Sequence, residues 1–130
     1  MNFLVGYNGT DEAKAALSLA IDFAKTFDAK IFVVTSMEGG KSEKPDEISQ
    51  VETILDAAKL TLSNAGVESE AFQMARGLTP GEDLVEFAKE NDIEHIFVGI
   101  EKKSRTHKLL LGSTAQFVIL KAPCPVTTVK

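Results

Sequence analysis

The chain is poor in cysteine, with only Cys124 in 130 residues. No internal disulfide can form, which fits a reducing compartment better than a disulfide-stapled secreted domain. Cys124 lies between two prolines in APCPV and reads as a small, half-buried hydrophobe rather than a nucleophile. Long apolar runs are missing as well. No window approaches the ~18 residues of a membrane helix. The opening residues, MNFLVGYNGTDE, carry no basic leader, and their apolar stretch is too short for a signal peptide. A soluble cytoplasmic protein with no membrane partner is expected. Positive charge is also in short supply: 14 Lys and Arg stand against 19 Asp and Glu, a net charge of −5. That argues against a nucleic-acid partner, which calls for a broad basic face. The two histidines, His95 and His107, form no Cys/His cluster with metal-ligand spacing. Neither a GxxxxGK[ST] loop nor a GxGxxG after the first apolar run is present.

What is there is a regular alternation. At 44% hydrophobic and 25% charged residues the chain is globular, and its length suits one domain, residues 1–130. NFLVGY (2–7) reads as a buried strand. Thr10 or Asp11 caps a helix whose apolar stripe is Ala13, Ala16, Leu17, Ala20, Ala24 and Phe27. KIFVVTSM (30–37) is a second strand, rich in β-branched residues. After a flexible loop at 38–44, Pro45 opens a helix with Ile48, Val51, Ile54, Leu55, Ala58, Leu62 and Ala65 at helical spacing, stopped by Gly66. VESEAFQM (67–74) alternates weakly, as an edge strand would. TPGE (79–82) is a capping box opening a helix that buries Leu84, Phe87 and Ala88. HIFVGI (95–100), a helix at 113–122 ending before Pro123, and PVTTVK (125–130) complete a βαβαβαβαβ order. Such alternation implies an α/β fold: a five-stranded, mainly parallel sheet with helices on both faces, in the strand order 3-2-1-4-5.

In such sheets ligands bind beyond the strand carboxyl ends, where the winding reverses. Here that crevice falls between the first and fourth strands, at GYNGT (Gly6 to Thr10) and from Val98–Gly99 onward. A helix opening at Gly112-Ser113 offers unpaired N–H groups and a positive dipole end to an anion. Lys102, Lys103, Arg105 and Lys108 concentrate four of the fourteen basic residues in the segment before it. That segment is either a phosphate cradle or a solvated loop; topology favours the cradle. Asn8 either hydrogen-bonds a ligand hydroxyl or serves the turn. Asp11 and Glu12 either hold Mg²⁺ through phosphates or complement the helix dipole. Ser113 reads better as a helix cap than as a nucleophile, since no base is assigned to it. His95, at a strand start, reads as structural, and His107 faces either a phosphate or water.

Three stretches, VGYNGTDEAKAAL, GLTPGEDLVEFAKENDIEHIFVG and KLLLGSTAQFVILKAPCPVTTVK, together resemble the universal stress protein family over nearly the whole chain. The resemblance implies a Rossmann-like domain, usually dimeric, and for its ATP-binding members a G-x₂-G-x₉-G-[ST] motif. Gly99, Gly112 and Ser113 match it in spacing, while Lys102 stands at the second glycine. It also implies an aspartate on the ribose, where this chain has Asn8, and main-chain reading of adenine near Ser36 and Met37. The nucleotide-binding set expected on this basis is Gly6, Asn8, Thr10, Ser36, Met37, Val98, Gly99, Lys102, Arg105, Gly112, Ser113 and Thr114. The ligand would be ATP, ADP or AMP, with or without Mg²⁺. The resemblance further implies a homodimer through the last strand, residues 125–130. Three functions follow: a nucleotide-binding regulatory module signalling as a dimer, an interaction module that binds no nucleotide, or a slow ATP hydrolase using Ser113 or His107. With neither general base nor arginine finger evident, hydrolysis would at most be slow.

Overall fold

The computed structural model describes residues 1–37, 45–100 and 111–130, with side chains at 45–47 left aside. The 38–44 loop and the basic segment with Lys102, Lys103, Arg105, His107 and Lys108 lie outside the described residues. Five strands, β1 (Asn2–Gly6), β2 (Lys30–Ser36), β3 (Ser69–Met74), β4 (His95–Gly99) and β5 (Val126–Val129), alternate with α1 (Asp11–Phe27), α2 (Pro45–Ala65), α3 (Pro80–Glu90) and α4 (Ser113–Lys121). The sheet order is β3-β2-β1-β4-β5, as expected. Its four pairings are all parallel, so "mainly parallel" understates it.

Strand alternation divides the core in two. Phe3, Val5, Ile31, Val33 and Phe97 pack under α1 and α2, against Ala16, Leu17, Ala20 and Leu62. Leu4, Phe32, Val34, Ile96 and Val98 pack on the opposite face against Leu84, Phe87, Ala88 and Val118 of α3 and α4. Burial on both faces explains why β1 and β2 read as unbroken apolar runs.

Helix α1 is capped by Thr10, whose Oγ1 accepts from the Ala13 N–H at 3.2 Å, and Asp11 and Glu12 occupy its first turn. The stripe is buried from Ala13 to Ala24, with Ile21 added. Phe27 departs from it, at 56% exposed: the chain is already reversing through left-handed Asp28, and its ring meets Phe23 edge-on. Ile48, near the start of α2, is likewise exposed. The capping box of α3 forms in both directions, Thr79 Oγ1 accepting from the Glu82 N–H and Glu82 Oε1 accepting from the Thr79 N–H. Helix α4 differs from expectation in its cap. Gly112 is the N-cap, and Ser113 is the first helical residue, so the Ser113 hydroxyl does not cap.

The helix-to-strand returns are short, at residues 28–29, 66–68, 91–94 and 122–125, whereas the strand-to-helix connections reach residues 37–44 and 100–112. Asp28, Gly66 and Asp92 take positive φ within three of the short returns.

Candidate functional site

The parallel arrangement places every strand's carboxyl end on one rim, and there the side chains and backbone leave a cleft of about 210 Å³. Its walls are Gly6, Tyr7 and Asn8 after β1, Ala13 of α1, Val34 and Ser36 of β2, Pro80 and Leu84 of α3, Val98 to Ile100 at the end of β4, and Gly112 to Ala115 opening α4. Of the expected residues, Gly6, Asn8, Ser36, Val98, Gly99, Gly112, Ser113 and Thr114 therefore meet at one cleft. Thr10 and Met37 lie outside its lining. Thr10 spends its hydroxyl on the α1 cap. Met37 is buried, and its N–H donates to the Met74 carbonyl at 2.7 Å, so that amide is engaged at the end of β3. Lys102 and Arg105 fall outside the described residues.

The two motif glycines differ in what surrounds them. A Cβ on Gly99 would lie 2.5 Å from the carbonyl carbon of Glu12 and 2.7 Å from the Ala13 nitrogen. Gly99 is thus the seat on which the first turn of α1 rests against β4. Among the described residues a Cβ on Gly112 would meet nothing within 4 Å, and Gly112 has an ordinary extended backbone at φ −66°. Neither packing against the described residues nor conformation requires glycine there. Gly112 also brings no side-chain hydrogen bond to the helix opening. The first amides of α4 face the cleft behind a residue with no bulk, which suits an anion drawn by the dipole.

Asn8 adopts the turn role: its Oδ1 accepts from the Thr10 N–H at 3.2 Å and the Thr10 hydroxyl at 2.8 Å. The Tyr7 backbone is anchored too, its N–H donating to Val34 and its carbonyl accepting from the Thr35 hydroxyl. Burial raises the Tyr7 hydroxyl above its usual pKa. Sequence reasoning missed Asp83. Its side chain is wholly buried, one carboxylate oxygen accepting from the Ser36 hydroxyl and the other from Arg76 Nε at 3.1 Å. The available signal was its position: Asp83 is one turn before Phe87, within the buried stripe, where an acid is out of place unless partnered. Pro80 and Leu84 were read as helix start and core; both also wall the cleft.

His95 is structural. It stacks on Phe97 with centroids 4.6 Å apart, meets Phe3 and Phe23 edge-on, and shares a 2.6 Å contact between Nε2 and Thr127 Oγ1. Cys124 is half-buried and burial raises its thiol pKa, which disfavours the thiolate a nucleophile needs. Among the described residues no three His, Cys, Asp or Glu side chains gather into a possible metal site, and no helix is long and apolar enough to cross a membrane.

The family model of the universal stress proteins matches residues 1–130. This chain belongs to the universal stress protein family. Among solved members, a universal stress protein from Archaeoglobus fulgidus superposes with a TM-score of 0.91 at 36% identity, covering 100% of this chain and 98% of that one. A structure described as the universal stress protein from Archaeoglobus fulgidus in complex with dAMP superposes at 0.85 with 33% identity, covering 100% and 98%. A universal stress protein of Mycolicibacterium smegmatis is 30% identical over 98% of this chain and 95% of its own length. The family's fold expectations hold here. Gly112 and Ser113, the end of the expected motif, open α4 at the cleft.

Proposed function

We propose that this universal stress protein domain binds an adenine nucleotide in the rim cleft. The phosphates rest on the amides at Gly112, Ser113 and Thr114, the sugar lies over Gly6 and Asn8, and the base reaches toward Ser36. Lys102 and Arg105 add positive charge at the phosphate end. The observation that carries this reading is Gly112: among the described residues nothing occupies the space beyond its Cα, at a helix opening with no side-chain cap. The dAMP complex of the Archaeoglobus protein supports the same ligand class. Magnesium, where present, arrives with the phosphates of ATP. The domain acts in the cytoplasm as a regulatory module, self-pairing along residues 125–130 and signalling through that pairing. Asn8 lacks the charge of an aspartate, so ribose contacts contribute less than in family members carrying one.

The test is thermal melting and calorimetric titration with AMP, ADP and ATP, each with and without Mg²⁺. Ligand at 100 times its dissociation constant stabilises the fold by about 2.7 kcal/mol. An unchanged melting temperature together with no heat of binding would refute the nucleotide reading and leave an interaction module in its place.

A further inference from the structure

Ser36 ends β2 and lines the cleft on the far side of β1 from the α4 opening. A serine hydroxyl normally rotates to donate or accept as its partner requires. Here it has no such choice. Its hydroxyl donates to Oδ2 of Asp83, and a carboxylate has no hydrogen to offer in return. Asp83 is itself fixed, wholly buried in the first turn of α3 with its other oxygen held by Arg76 Nε at 3.1 Å. The positive end of α3 makes a buried carboxylate tenable at that position. Ser36 therefore shows the cleft only lone pairs.

We infer that Ser36, held as an acceptor by Asp83 and Arg76, selects ligands that present an N–H donor at the β2 end of the cleft, and so a 6-aminopurine over a 6-oxopurine. This rests on the nucleotide reading above, with the base toward β2. An amino group completes the Ser36 valence. A carbonyl in its place sets lone pair against lone pair and leaves both acceptors without a donor, a mismatch that polar sites reject far more strongly than a difference in size. Ser36 is the contact; Asp83 and Arg76 are positioning residues.

The experiment is calorimetric titration of the intact chain with AMP and with inosine monophosphate, which differ at position 6 of the purine ring and in its protonation pattern but share sugar and phosphate. Wild type binds AMP at least about tenfold tighter, the effect of one polar mismatch. In Ser36→Ala the ratio falls toward one while AMP still binds through its phosphate. Asp83→Asn gives a sharper readout. Arg76 draws the amide oxygen to itself, which turns the NH₂ group toward Ser36. Ser36 then accepts, its own hydrogen is free to face the cleft, and the preference moves toward inosine monophosphate. A structural role alone would not move that ratio. Equal affinities in wild type overturn the selection and leave nucleotide binding standing; so does a ratio that Ser36→Ala leaves unchanged. Failure of both nucleotides to bind overturns the selection along with the reading beneath it. If Asp83→Asn does not fold, wild type and Ser36→Ala decide the matter.

Discussion

An ideal Cβ on Gly99 would collide with the Glu12 backbone, whereas one on Gly112 would touch none of the described residues. The same residue type, matched by the same motif, thus answers to two different demands. Gly99→Ala should cost about 1–3 kcal/mol as the α1 turn is pushed off β4, read from the shift in urea midpoint. Gly112→Val should lower that midpoint by the equivalent of no more than about 1 kcal/mol, the cost of a poorer N-cap residue, and weaken AMP at least tenfold by titration, because its methyl groups take the phosphate position. Retained affinity in a folded Gly112→Val protein would dismantle the cradle. Asn8 and Thr10 show the limit of reading single residues. Asn8 was left open between a ligand and the turn, and Thr10 was read both as a cap and as a ligand residue; the structure shows the turn and cap roles.

At the scale of elements, α3 and β4 carry their own tests. The Thr79–Glu82 capping box closes the α3 terminus from which Asp83 projects. Thr79→Ala should destabilise by about 1 kcal/mol, measured by thermal or chemical denaturation. On β4, burial among aromatic rings lowers the His95 pKa below 6.5. The unfolded chain therefore takes up this proton at a higher pH than the fold does. The His95 contribution is intact above pH 6.5 and is lost as pH falls from there toward the folded value. Denaturation midpoints between pH 7.5 and 5 should decline more steeply in wild type than in His95→Gln; parallel declines would show that His95 is not the cause. Most elements were legible because apolar runs and helical stripes report burial directly, and caps such as Thr79-Pro80 mark their starts. Asp83 was not, because amphipathic reading sends acids to water, and only the tertiary approach of Ser36 and Arg76 makes its burial sustainable. Phe27 failed for a related reason: periodicity continues past the point where the helix leaves the sheet.

Across the whole molecule, β5 is a sheet edge. The Pro125 and Val129 carbonyls accept from Ile96 and Ile100 of the β4 segment. Strand alternation then turns the main-chain groups of Val126 and Thr128 toward the open side, where a second copy would pair. Thr128→Pro removes an outward N–H without touching the β4 ladder, a position where proline is tolerated. Sedimentation at micromolar concentration should show a dimer for wild type and a monomer for this variant, with unchanged circular dichroism. A monomeric wild type would rule out the self-pairing.

The left-handed returns at Asp28, Gly66 and Asp92 give the molecule two unequal ends. Linkers of two to four residues tie each helix to the strand that follows it, which leaves no slack for a helix to slide along the sheet. The end of the domain away from the cleft is a stiff foot, so amide exchange at 28–29, 66–68 and 91–94 should stay constant on ligand addition; a change there would show that the helices do slide.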